Sequence, residues 1–391
     1  MRLPLLLLLP LIAAPLAAQE PPSNSELSRR IDLLSEELET LQFRQQPVAV
    51  ESQFGLSPAA SKVYASAEGI SIGGYGEMLY QRYSNSAMAN QWDFYRAILY
   101  VGYKFDERWV FNSEIEIEHV DQVALEMAYL DHLVCDSFNL RVGHVLVPMG
   151  WINEMHEPTT FWSANRPQVE RLILPSTWHE NAVGVFGEAG DFSYRSYLMT
   201  GFDASALGAS LGTSGLRKAR QSGSQAKAEN LAWVGRLDWS GLDGLVVGGS
   251  GYFGKSDQST VGAGPDFDTT LYELHAQYDW QALRLRGLWA AGEVEGATTL
   301  GNPGDEISGW YLEAGWDVFA GQERALTPFL RYSEYDLAAD VAADRSSTIV
   351  TAGLAYQPIP QLVFKVDFQD QEHPGAAADT KVLEFSAGYI F

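Results

Sequence analysis

From Ile70 to Phe391 the sequence alternates apolar and polar residues at period two, in segments of about ten residues such as "FNSEIEIEHV", "TLYELHAQYDW" and "QLVFKVDFQD". Successive side chains of a strand point to opposite faces, so each segment has one greasy face and one wet face. The last stretch, "VLEFSAGYIF", places Leu383, Phe385, Ala387, Tyr389 and Phe391 on one face and Glu384, Ser386 and Gly388 on the other. An apolar, aromatic-ended edge strand in water invites aggregation, so that face must be covered. Two structures cover it: a soluble sandwich, or a closed barrel whose greasy face meets lipid.

The other end of the chain chooses between them. Residues 1–18, "MRLPLLLLLPLIAAPLAA", carry a positive charge at Arg2, a leucine-rich core and small residues before Gln19, the pattern of a secretory signal peptide, with an uncleaved anchor as the minor alternative. Beyond it no apolar run approaches the roughly 20 residues that a transmembrane helix needs, which excludes a helical membrane protein. The single cysteine, Cys135, leaves an exported chain without an intramolecular disulfide. A formal charge of −24 argues against nucleic acid as a partner.

Residues 19–46 differ from the rest. Leu27, Ile31, Leu34, Leu38 and Leu41 recur at spacings of four and three, an a/d seam, and Ser23 with Glu26 forms a capping box. We expect a short periplasmic coiled coil that needs a larger oligomer to hold it. Residues 47–69, with Pro47 and Pro58, read as a linker, and 70–391 as one body.

Within that body the connections alternate in length. Short ones fall at 106–107, 136–137, 189–190, 241–244 and 358–360, and long ones at 148–178, 203–227, 255–268, 295–306, 337–345 and 372–379. Tight turns on one side and long loops on the other mark a transmembrane antiparallel barrel. The fold expected is all-β, with about 16 strands, an even number that leaves both chain ends periplasmic. Trp239, Tyr278, Trp280, Tyr332, Tyr356 and Tyr389 would form the interfacial aromatic girdles. No blade repeat or internal duplication suggests a propeller.

If the greasy face meets lipid, the polar face lines a lumen. Its charged residues are Glu114, Glu116 and Glu118 on one strand, and Arg141, Arg195, Arg236, Arg284, Arg286, Arg331 and Lys365 on others, accompanied by Asp238, Glu273, Glu313 and Asp367. Arg or Lys on the lipid face would cost about 2–4 kcal/mol near the midplane, so these charges belong inside, where they either set ion preference or stiffen the wall. The longest connection carries Trp151, Phe161, Trp162, Ile173 and Leu174, a poor composition for disorder. We expect it to fold inward, with Glu154, His156, Glu157, Arg166, Glu170 and Arg171 at a constriction; capping the barrel or making subunit contacts is the competing placement. A basic cluster, Arg217, Lys218, Arg220 and Lys227, could funnel anions, hold lipopolysaccharide phosphates or simply be solvated.

Other signals are weak. "GSGYFG" at 249–254 has dinucleotide-fingerprint spacing but no helix after it. His144, His156-Glu157 and His179-Glu180 have no spacing that fixes them on one face, so no metal is expected, and no cofactor. No strand-turn-helix elbow frames a serine, so no catalytic residue is assigned.

The span "LRVGHVLVPMGW", followed by "NRPQVERLILPSTWHENAVGVFGEAGDFSYRSYLMTGF", resembles the phosphate-selective porin O and P family, on Arg141, Gly143, Pro148 and Gly150 above all. The likeness extends more loosely over 70–391 and to the coiled coil. It implies a 16-stranded homotrimeric outer-membrane channel with an inward-folded third loop. Phosphate selectivity in that family depends on lysines and arginines along the pore. Here Arg166 and Arg171 face Glu154, Glu157 and Glu170, and the wall carries Glu114, Glu116 and Glu118. The expected function is therefore passive diffusion of small hydrophilic solutes or ions through a porin among outer-membrane lipids and lipopolysaccharide; anions such as phosphate stay among the candidates, but the charges put anion selectivity in doubt and allow weak cation preference or little selectivity. A barrel hydrolase and a structural or adhesive barrel with a blocked bore remain open at this point.

Overall fold

The computed structural model describes residues 51–258, 267–342, 345–374 and 379–391, together with Ser25, Arg29, Arg30, Ile31 and Leu33. The signal peptide and nearly all of the coiled-coil seam lie outside the described residues.

Sixteen antiparallel strands close into a barrel in which each pairs with its neighbours in sequence and the last pairs with the first. They are β1 (Gly69–Ser84), β2 (Gln91–Lys104), β3 (Trp109–Glu118), β4 (Gln122–Cys135), β5 (Phe138–Leu146), β6 (His179–Ala189), β7 (Phe192–Thr200), β8 (Leu231–Leu242), β9 (Leu245–Lys255), β10 (Asp268–Trp280), β11 (Leu283–Val294), β12 (Glu306–Trp316), β13 (Ala325–Asp336), β14 (Ser347–Ile359), β15 (Leu362–Glu372) and β16 (Thr380–Ile390). The seam runs from Tyr75 opposite Ile390 to Ser84 opposite Lys381. Phe391 extends it: its carbonyl accepts from Gly74 N at 3.0 Å and its amide donates to Gly74 O at 2.9 Å. Closure gives every strand edge a partner, which an open sheet in lipid could not do.

The period-two pattern becomes two surfaces. On β12, Tyr311 and Glu313 are buried toward the lumen while Trp310 and Leu312 face out. On β15, Lys365, Asp367 and Gln369 point in, and Phe364, Val366 and Phe368 point out. Ile115 and Ile117 lie outside, alternating with the inward Glu114 and Glu116. The stretch "GSGYFG" lies within β9, where its glycines belong to a strand and open no helix.

The long and short connections fall at opposite ends, with two exceptions. The β3–β4 return at the long-loop end is only His119–Asp121, made possible by left-handed backbone at His119 and Val120 (φ 51° and 74°). At the short-turn end, 317–324 is longer than its companions.

The reading of 47–69 as a linker needs correction. Pro58–Ala65 form a helix, α1, that packs on β1, β2 and β3 with Ala59, Ala60, Val63 and Tyr64 buried. Its eight residues carry too little apolar periodicity to stand out from small-residue chain, and it owes its existence to the barrel around it. Gly102 on β2 makes the room: a Cβ there would lie 2.6 Å from Val63 Cγ2.

Candidate functional site

The segment 147–178 leaves β5, and its base is pinned by one side chain. Asn153 Nδ2 donates to Val147 O at 2.7 Å and Trp178 O at 2.8 Å, while Asn153 Oδ1 accepts from Trp178 N at 2.7 Å. Its apolar residues, including Met149, Ile152, Phe161, Val169, Ile173 and Trp178, are buried, as their composition requires.

The segment then meets inward side chains of distant strands. Arg236 on β8 donates to Gly150 O, and Arg286 on β11 to Thr160 O at 3.3 Å. Tyr311 on β12 donates to Glu170 Oε1 at 2.7 Å, and Arg331 on β13 to Ser163 Oγ at 2.7 Å. On β15, Lys365 donates to Ser163 O at 3.1 Å and Asp367 accepts from Ala164 N at 2.6 Å. Asn165 reaches Glu384 on β16 at 2.6 Å. A chain rooted at β5 and β6 that bonds β11, β12, β13, β15 and β16 from the inside has crossed the bore.

From the short-turn end, α1 comes to meet it. The Glu157 carboxylate accepts from Ala59 N at 3.2 Å and Ala60 N at 3.0 Å, capping two amides at the helix start that Ser57 does not cap. Ser57 Oγ donates to Glu154 O at 3.2 Å. At its other end Tyr64 OH donates to Asp131 Oδ2 at 2.6 Å. A five-residue helix, α2 (Gln168–Leu172), holds Glu170 against the Ile152 amide at 2.7 Å.

The residues expected at the constriction thus separate. Glu154, His156, Glu157 and Glu170 are buried; Arg166 is half-buried and donates to His156 O at 3.4 Å; Arg171 is exposed. Glu154 pairs with Arg195 at 3.1 Å.

The wall's arginines are matched by carboxylates. Arg141 makes a two-pronged contact with Asp131 at 2.8 and 2.9 Å and stacks over the Tyr129 and Phe186 rings. Arg195 and Arg236 share Asp238 at 2.9 and 2.8 Å, while Arg286 and Arg331 share Glu313, both at 3.5 Å. Lys365 lies over the Phe161 ring. Glu118 and Arg284 are less enclosed, 32% and 42% exposed, with Arg284 paired to Asp279. Glu114 and Glu116 are buried on β3, beside Glu126 on β4.

The basic cluster of the 201–230 connection is tied down as well. Arg217 donates to Ser176 O, Arg220 to Pro175 O and Thr177 O, and Lys227 pairs with Asp203 at 2.7 Å. Lys218 is exposed.

Several lumen residues were not singled out from sequence. Asp131, Tyr311 and His275 follow the same inward parity as their neighbours and could have been found by it. His275 bridges Glu273 at 2.8 Å and Asp238 at 2.7 Å. Glu126 alternates with the outward Val123 and Leu125 and could have been found the same way; what the sequence does not show is the bulge that turns Met127 inward beside it, with Glu114 paired to Met127 and Ile115 to Leu125.

Against known proteins, the family model for phosphate-selective porin O and P matches residues 75–390. The chain belongs to that family. A relative in Aquifex aeolicus (strain VF5), described as an uncharacterized protein, is 34% identical over 358 residues, covering 84% of this porin and 81% of the relative. Solved structures share the fold at low identity. A loop L8 deletion mutant of OmpT, an outer membrane protein of Vibrio cholerae, superposes with a TM-score of 0.58 at 14% identity, over 83% of this chain and 100% of that one. The anion-selective porin from Comamonas acidovorans gives 0.55 at 12%, over 82% and 99%. Salmonella typhi OmpF gives 0.57 at 11%, over 82% and 97%. The protein is an outer-membrane porin built on a closed 16-strand barrel.

Proposed function

We propose that this porin passes small hydrophilic solutes and ions by passive diffusion, performs no chemistry, and is narrowed where 147–178 and α1 meet, at Glu154, His156, Glu157, Arg166, Glu170 and Arg171. The observation that carries the reading is the row of hydrogen bonds from that segment to β8, β11, β12, β13, β15 and β16, which runs across the bore. The transported ions are cations, or are weakly discriminated, rather than phosphate. In support, Arg141, Arg195, Arg236, Arg286 and Arg331 each face a carboxylate, whereas Glu114, Glu116 and Glu126 crowd one side of the lumen. A paired cation presents little net field to a passing anion, and an excess of carboxylates attracts cations.

The assembly is a homotrimer in the lipid and lipopolysaccharide of the outer membrane, with both chain ends periplasmic. The coiled-coil pattern at 19–46 supports that state, and one of the related V. cholerae structures is itself described as a trimer form. Purified protein in planar bilayers under a KCl gradient tests the proposal. Stepwise openings in groups of three with a cation-signed reversal potential are expected. Strong anion selectivity would overturn the ion preference, and a silent, folded barrel would favour a bore closed by α1.

A further inference from the structure

We propose that Glu114, Glu126 and His156 form a binding site for a divalent transition-metal cation of the zinc class, inside the narrowed lumen. Three elements deliver the ligands: Glu114 from β3, Glu126 from β4 and His156 from the segment that crosses the bore. One ligand atom from each lies within 4.8 Å of the others, with His156 Nε2 at 3.0 Å from Glu114 Oε1 and 3.6 Å from Glu126 Oε2. Ligand bonds of about 2.0–2.2 Å in a tetrahedral shell put neighbouring ligand atoms roughly 3.3–3.6 Å apart, so little movement is needed to seat an ion.

The buried carboxylate oxygens point to a ligand. Glu114 and Glu126 are 0% and 1% exposed, yet the Oε2 atom of each has no hydrogen-bond partner. Burying carboxylate oxygens without a donor is costly, and a divalent cation would satisfy both at once. At the bulge opposite Glu114, Glu126 and Met127 are both buried, so the break in strand pairing packs two successive side chains on the lumen side.

The imidazole is oriented for the same role. His156 Nδ1 lies 2.8 Å from Asn153 O, so Nδ1–H donates to that carbonyl and leaves Nε2 as the ligand atom. Asn153 is itself locked by its bonds to Val147 and Trp178. Metal-ligating histidines usually have such a partner behind them. One imidazole with two carboxylates suits zinc, cobalt or manganese better than the all-oxygen shells of calcium or magnesium.

The test uses full-length protein in detergent, prepared without a polyhistidine tag, stripped with chelator and titrated with Co2+ and then Zn2+. The expected result is one Co2+ per chain with visible absorption of a low-coordinate site, displaced by Zn2+ but not by excess Ca2+ or Mg2+. Glu126→Gln and His156→Gln should each weaken binding by on the order of 100-fold, a loss at least as large as removal of a supporting group causes. His144→Gln, at the separate His144–His179 pair, should leave affinity unchanged. Glu114→Gln serves if either ligand variant fails to give a heat-modifiable barrel. The proposal is overturned if the stripped protein binds neither ion, if the ligand variants bind as well as wild type, or if His144→Gln alone abolishes binding. Because absorption is read without conductance, the outcome is independent of whether the channel conducts.

Discussion

Arg141 shows what a charged residue in a packed lumen requires. Its guanidinium, 3% exposed, sits against an Asp131 carboxylate that is 0% exposed, with Tyr64 and Tyr197 as further acceptors. Removing one member of such a pair strands the other, so Arg141→Ala should destabilise the barrel by about 3–5 kcal/mol, read as a lowered urea midpoint for loss of the heat-modifiable form. Glu157→Ala leaves the Ala59 and Ala60 amides without their acceptor and should loosen α1, costing about 1–3 kcal/mol; increased proteolysis within 51–65 would register it, and unchanged protection would refute it. At the exposed tip of the β2–β3 turn, the Arg108 and Trp109 amides donate to Asp106 and hold its carboxyl below the ordinary range. A depressed value means that the turn's support is complete above the unfolded-state pKa and is lost as pH falls through the folded one. Hydrogen exchange at the Arg108 and Trp109 amides, corrected for intrinsic rate, should therefore rise on acidification, and Asp106→Asn should flatten the dependence.

At the scale of elements, strands and loops differ in how much of them sequence reveals. The strands are legible because lipid outside and a polar lumen inside impose a period-two pattern on each, and the connections at 148–178, 203–227 and 295–306 show as breaks in it. Helix α1 is not legible. Its contacts to β2 and β3 lie tens of residues away in sequence, and its start is capped by a carboxylate 97 positions or more downstream. The same holds for the bulge at Glu126, where pairing with β3 brings Glu126 and Met127 inward together. Gly102→Val should push Val63 and with it α1 off the wall, because the new side chain would start 2.6 Å from Val63 Cγ2. If α1 restricts the bore, this variant and a deletion of 51–66 should both raise single-channel conductance while the barrel still folds; unchanged conductance in both would remove α1 from the conduction path.

For the whole molecule, closure is the organising event. Every strand pairs with its sequence neighbours except at the β1–β16 seam, where Gly74 and Phe391 exchange both backbone bonds. Deleting Phe391 takes away the last rung and an outward aromatic, and should slow formation of the heat-modifiable barrel in vesicles; refolding at the wild-type rate would contradict that role for the seam. The charge pattern also acts at this scale. Arg141, Arg195, Arg236, Arg286 and Arg331 are buried and each is paired with a carboxylate, in several cases one on a neighbouring strand.

The sequence by itself determined the barrel: alternation tells each strand which face meets lipid, and the family pattern around Arg141, Gly143, Pro148 and Gly150 is written in consecutive residues. Only the tertiary structure decided how the lumen is filled. The path of 147–178 across the bore, the docking of α1 and the meeting of Glu114, Glu126 and His156 all depend on contacts between residues distant in sequence. A two-residue period reports which way a side chain points; it carries no information about what comes to meet it from the opposite wall.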